Sequence, residues 1–208
     1  MRVKPLILKA LPLFPAGLLS SAIALTDQFF CEEISIDILR FHLFLAYIPF
    51  VLVTIGRIIS IPIKVLANKF KDEKSEIYSS FISFSFLTMC TLLAVTTLIG
   101  IGVFQIYDFN KSYQVYSYLQ IITGSLLILM SSFSFIFISE GKTKNVLIIN
   151  TVTFFVNLGT SAFSLFTNDQ SLALYIVGGA SLLSVSLSIL TQLYLLKKIE
   201  IKLSLIHI

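Results

Sequence analysis

The 208 residues are 56% hydrophobic and only 12% charged, with a mean hydropathy of +0.94, which a soluble chain with a polar surface does not reach. The net charge of +4 argues for neither nucleic acid nor acidic substrates, because the Lys and Arg residues gather on one side of the expected membrane and form no stripe interleaved with aromatics. These values exclude a soluble domain and point to an all-α membrane protein with lipid as its first partner.

Lipid cannot satisfy backbone polar groups, and a spanning helix needs about 20 mostly apolar residues. Six charge-poor segments meet that length, so the sequence predicts a six-transmembrane-helix bundle over residues 1–202. The first span runs from about Leu6 to Phe30, with Asp27 near its end. Its basic start and the small residues Ala22-Ile23-Ala24 also resemble a secretory signal. A retained helix fits better, because the apolar stretch is longer than a signal core, contains Pro12 and Pro15, and precedes five further spans.

The second span, about Leu39 to Leu66, contains Tyr47 and Arg57, and His42 stands alone near its start. Arg57 precedes Lys64 by seven residues, about 10 Å of helix, close enough to snorkel toward that face. The third spans Ile77 to Tyr107, the fourth Tyr113 to Ser139, the fifth Val146 to Phe166 and the sixth Leu172 to Leu196, and none of these four holds a charged residue. Cys31 at a helix end and Cys90 inside a span form neither a disulfide framework nor a metal-ligand spacing, so both read as ordinary small residues. The connections Cys31–Ile38, Ala67–Glu76, Asp108–Ser112, Glu140–Asn145 and Thr167–Ser171 are too short to hold a separate domain.

Orientation follows from the cations. With the amino terminus in the cytoplasm, Arg2, Lys4, Lys9, Lys64, Lys69, Lys71, Lys74, Lys142, Lys144, Lys197, Lys198 and Lys202 lie inside, while Arg40 and Lys111 lie outside. Twelve against two predicts a multi-pass protein of the plasma (inner) membrane with both termini cytoplasmic. Residues 203–208, Leu-Ser-Leu-Ile-His-Ile, resume an apolar run after the basic flank of helix six. They are what the sequencing-library transposase adapter CTGTCTCTTATACACATC encodes in frame, so the natural sequence is expected to stop near Lys202, with a natural tail or the start of a further segment as the alternative.

Asp27 is the outstanding candidate for chemistry. A carboxylate inside a span costs several kcal/mol unless it finds a partner, a polar cavity or a proton. Lost hydration disfavours its charged form, which suits reversible proton binding, or oxygen ligation of a small cation such as sodium. The plainer reading is a side chain hydrated near the outer interface, four residues before Cys31. On helix five, Asn150, Thr153, Asn157, Ser161 and Ser164 recur at three- and four-residue spacing and form one polar stripe. Helices one and five run in the same direction, which puts Asn157 and Ser161 near the depth of Asp27. Such stripes also simply glue membrane helices together.

Tyr47, Gln120 and Thr123, with Asn150 and Thr153, are uncharged polar residues that either line a substrate path or bond neighbouring helices, and Gln192 belongs with them. The 19 phenylalanines suit aromatic contacts with a hydrophobic cation, but none is assigned a binding role. Paired carboxylates, a His cluster, a nucleophile with its base and a phosphate loop are all missing, so no enzyme activity, metal centre or cofactor beyond a coupling H+ or Na+ is expected. Gly178-Gly179 reads as close helix packing.

In order along the chain, Ala10-Leu11-Pro12-Leu13, Thr26-Asp27-Gln28-Phe29-Phe30, Val65-Leu66-Ala67-Asn68, Glu140-Gly141-Lys142-Thr143-Lys144, Asn157 and Gln192 resemble landmarks of one family. They are the opening A-L-P, the V-D-T-x-F-V-G at the end of helix one, the V-A-Q segment, the G-D-T loop closed by Arg or Lys, the helix-five asparagine and a helix-six glutamine. The family is that of the multidrug and toxic compound extrusion (MATE) transporters, in the multidrug/oligosaccharidyl-lipid/polysaccharide flippase superfamily. The likeness covers Lys4 to about Lys198, and order and spacing carry it more than any single motif. Departures are Cys31 where the family has glycine, a cytoplasmic loop without its glycines, Lys142 for the usual acid, and Ser161 where some members carry an acid.

The resemblance implies one half of a twelve-helix transporter, lacking the second six-helix bundle of the same polypeptide. Such a transporter exports small organic cations against an inward flow of protons or sodium. It also implies Asp27 as the coupling carboxylate, with Asn157 as its neighbour. Two alternatives stand beside it. One is a flippase for lipid-linked oligosaccharides or polysaccharides from the same superfamily. The other is a non-transporting membrane scaffold, in which Asp27 and the stripe are structural.

Overall fold

The computed structural model describes residues 11–106 and 109–198, with side chains described throughout these ranges except at 46–61 and 198. Residues 1–10 and the apolar segment 203–208 lie outside the described residues, and the side chains of Tyr47 and Arg57 lie outside those described. The described chain is all helical, with six α-helices, one 3-10 turn and no strand.

Helix α1 (Leu13–Ile34) starts behind Pro12, with Pro15 still in its first turn, where a missing N–H breaks no helical hydrogen bond. It runs four residues beyond the expected Phe30, and α2 (Ile36–Lys69) begins almost at once. The expected connection Cys31–Ile38 is therefore helical except at Ser35, which is extended (φ −172°, ψ 142°) and accepts from the Asp37 N–H at 3.3 Å through its hydroxyl. Hydropathy marks where lipid ends, and that is not where a helix must end: Glu32 and Glu33 are exposed, and glutamate is a good helix former that lets α1 continue.

Helix α3 (Lys74–Ile106) follows a short turn. Helix α4 (Lys111–Ser139) is capped by Asn110, whose Oδ1 accepts from the Ser112 N–H at 3.2 Å. Its other end closes on Gly141 at φ 69°, with Lys142 N bonded to Phe137 O (2.8 Å) and Gly141 N to Ile138 O (3.1 Å). This is the paired-bond cap that favours glycine in the left-handed region. Helix α5 (Thr143–Ser161) ends before the expected Phe166, because residues Ala162–Phe166 tighten into a 3-10 turn. Helix α6 (Gln170–Lys198) follows, its first turn capped by Asp169, which accepts from Ser171 N at 2.8 Å.

Helices α4 and α6 pack on each other at the centre of the bundle; α2 and α3 lie against α4, α5 against α6, and α1 against α5 and α2. One apolar cluster, including Tyr78, Phe81, Phe133, Ile136, Ile149 and Leu196, fills the end that carries most of the lysines. A second, around Phe30, Cys31, Tyr116 and Val177, fills the opposite end. A Cβ on Gly178 would lie 2.9 Å from Leu119 Cδ1 and 3.0 Å from Tyr116 Cδ2, whereas one on Gly179 would meet nothing within 4 Å. Of the expected packing doublet, Gly178 alone sets the α4–α6 approach.

Among the described residues, five helices are long and apolar enough to cross a membrane: α1, α3, α4, Thr143–Phe166 and α6. The expected second span coincides with α2, whose central side chains are outside the description. Large apolar side chains such as Phe84, Leu98 and Ile106 of α3, Phe155 of α5 and Leu190 of α6 are exposed, while serine, threonine and asparagine are buried. That inversion suits a membrane protein, in which lipid takes the place of an outer polar shell.

Candidate functional site

Asp27 is drawn into the bundle, at 8% exposure, from the side of α1 that packs on α5 and α6. Its Oδ1 accepts from Asn157 Nδ2 at 2.9 Å and its Oδ2 from Ser181 Oγ at 2.8 Å. Asn157, fully buried, is held from behind by Ser161, whose hydroxyl donates to Asn157 Oδ1 at 3.5 Å. A carboxylate requires donors, so this chain of contacts fixes the amide with its N–H toward Asp27. The plainer expectation, a side chain hydrated at the interface, is not what the fold gives.

Ser181 was not among the sequence candidates. It carries a second contact, 3.1 Å from the carbonyl of Val177 one turn earlier. The hydroxyl can therefore donate to the charged carboxylate. After a half-rotation it can donate instead to Val177 O and accept from the protonated acid. Both protonation states of Asp27 are satisfied without moving a helix, which matters where an unpaired buried polar group is costly. The available signal was the α6 spacing Ser181, Ser184, Ser188 and Gln192, a polar face like that of α5 but written mostly in serine.

The remaining candidates divide. Asn150 Nδ2 donates to Ala16 O at 2.8 Å and so ties α5 to α1. Thr153 and Thr123 are buried, and each donates to its own helix at 2.8 Å, to Ile149 O and Leu119 O respectively. The Gln120 Nε2 atom is buried with no hydrogen-bond partner among the described residues. Gln192 reaches α4, donating to Met130 O at 3.1 Å and Ser134 Oγ at 2.7 Å.

Two readings of single residues change. His42, expected to stand alone, lies with Nδ1 2.6 Å from Tyr116 OH. Cys31, read as an ordinary helix-end residue, is fully buried with its Sγ 3.4 Å from the same hydroxyl. This cluster joins α1, α2 and α4 one turn from Asp27. Its partners are far apart in sequence, so no local spacing announces it. Among the described residues no three His, Cys, Asp or Glu side chains converge as metal ligands.

A second interior carboxylate sits at the lysine-rich end. Glu140 is held by Lys74 Nζ, at 2.6 Å from Oε1 and 2.7 Å from Oε2, and by the Tyr78 hydroxyl donating to Oε1 at 2.8 Å. The tie closes the start of α3 onto the end of α4. No family model, no curated protein and no solved structure matches the chain.

Proposed function

We propose that this chain is the amino-terminal bundle, with six membrane spans, of a proton-coupled exporter of small organic cations, of the multidrug and toxic compound extrusion type. In this reading both termini face the cytoplasm of the plasma (inner) membrane, and a second six-helix bundle of the same polypeptide completes the transporter. The observation that carries it is the Asp27 site: a buried carboxylate with neutral donors on both oxygens, one of which, Ser181, also lies 3.1 Å from a second acceptor.

The chemistry favours a proton over sodium. A sodium ion needs several oxygens turned toward it, whereas Asn157 presents an N–H to the carboxylate. A proton only asks the Ser181 hydroxyl to rotate. Because Asp27 links α1 to α5 and α6, its charge bears on how three helices pack. A proton bound more tightly in one arrangement of the bundle than another shifts the balance between them, which is what coupling requires. The lysines at the Glu140 end support the cytoplasmic assignment of that end.

The test is efflux of ethidium from drug-susceptible cells expressing the complete reading frame. Asp27→Asn keeps the shape, the helices and the membrane level of the protein and removes ion-driven efflux. Efflux equal to that of the unsubstituted protein would refute the coupling role.

A further inference from the structure

The polar face of α6 continues past Asp27 into a region that the coupling site does not use. Ser184, Ser188 and Gln192 follow Ser181 by three, seven and eleven residues, offsets that fall within about 80° of arc on a helix. They are 0%, 1% and 0% exposed. The neighbouring α5 answers with Thr153 and Asn150, both buried. Asn150 lies seven residues from Asn157, and Ser188 seven from Ser181, about 10 Å from the carboxylate's two partners in the direction of the lysine-rich end. A seam of hydroxyl and amide groups thus leads away from Asp27 along the buried face of α6, with the Asn150 amide turned to Ala16 O of α1 and the Gln192 amide to α4.

Two atoms in it are unexplained. Ser188 Oγ and Gln192 Oε1 are buried with no hydrogen-bond partner among the described residues. The Gln192 amide is not free to turn and relieve this, because its nitrogen is held by Met130 O and Ser134 Oγ. Buried polar atoms of this kind are the ones that ordered water satisfies.

We infer that Ser188 and Gln192 hold ordered water that, with Ser184, gives Asp27 a proton route along this buried face of α6 to the lysine-rich end of the bundle. The route rests on the reading of Asp27 as a proton site. A proton leaving Oδ2 passes to Ser181 Oγ as that hydroxyl releases its own proton to water in the seam. Each oxygen along the line accepts one proton and gives one up, and the last water delivers a proton to solvent near Lys142, Lys144 and Lys197. Asp27 has then lost one proton, and the seam has kept its composition. Gln192 positions the water without relaying a proton. The other titratable groups near Asp27 are Cys31 on α1 and Tyr116 on α4, with His42 of α2 beyond Tyr116, and all lie off the seam.

The experiment uses the whole chain in lipid nanodiscs and follows the infrared carbonyl band of protonated Asp27, identified by its loss in Asp27→Asn, after a rapid pH jump. Threonine and valine have the same shape and differ by a hydroxyl, so Ser188→Thr is expected to keep the wild-type rate. Ser188→Val and Gln192→Leu are expected to slow it by about 100-fold, the low end of what a positioned proton path contributes, with the equilibrium titration unchanged. Gln192→Leu also gives a reading at a second site if the branched residues at 188 prevent folding. Wild-type rates in both Ser188→Val and Gln192→Leu overturn the route and leave Asp27 a proton site. A band that never titrates in the wild-type chain overturns both.

Discussion

Asp27 and Glu140 are the two acidic side chains among the described residues that the fold does not leave exposed, and their surroundings differ in kind. Glu140 has a cation on both oxygens and a phenol besides. Asp27 has an amide and a hydroxyl. The Lys74 ammonium and the Tyr78 hydroxyl hold Glu140 between two helices, so that acid serves as a clasp. Protonating Asp27 strands nothing, because its partners are neutral and one can reverse its hydrogen bond. A membrane bundle therefore makes a structural acid by supplying the opposite charge, and a switchable one by withholding it.

The largest expected effect breaks the comparison directly. On the function proposed above, Asp27→Asn is expected to abolish transport of an organic cation driven by a proton gradient in vesicles carrying the chain together with its proposed second bundle, while Glu140→Gln is expected to keep it. Equal losses would make both acids structural. Next comes Lys74→Met, which leaves a half-buried carboxylate without its cation. It should lower stability to denaturation in mixed micelles, followed by helical circular dichroism, by roughly 1–2 kcal/mol, between the values for exposed and buried pairs. Adding Glu140→Gln should recover part of that loss.

Ser181→Ala removes one donor from Asp27 and costs about 1 kcal/mol in the same assay. Ser181→Thr, which retains the hydroxyl, recovers it. Tyr78→Phe, which leaves the ion pair in place, costs about 0.5–1 kcal/mol. The smallest effect belongs to Asp37→Ala. Its 3.3 Å pair with Arg40 is 73–74% exposed, and the change should fall within about 0.5 kcal/mol of zero.

What could be read in advance follows the range of the forces. The helices were legible because lipid demands long apolar runs; helical spacing put Asn157 near the depth of Asp27, and the family resemblance implied that the two are neighbours. Helix ends were less legible: α1 continues through Glu32 and Glu33 to Ile34, since leaving lipid removes the demand for apolar residues without removing the helix. Ser181 was hidden because serine is as common in plain helix packing as in a site, and because its contact with Asp27 spans 154 residues. The same distance in sequence hid Tyr116 between His42 and Cys31.

Ser35, the lone extended residue between α1 and α2, leaves almost no slack, since one residue shifts the backbone by only about 3.8 Å. The helix bearing Asp27 cannot slide along its own axis without hauling the opening turn of its successor. Any piston stroke at the carboxylate is thereby converted into a swing of the pair about that joint, and a longer, glycine-rich tether inserted there would let the stroke dissipate.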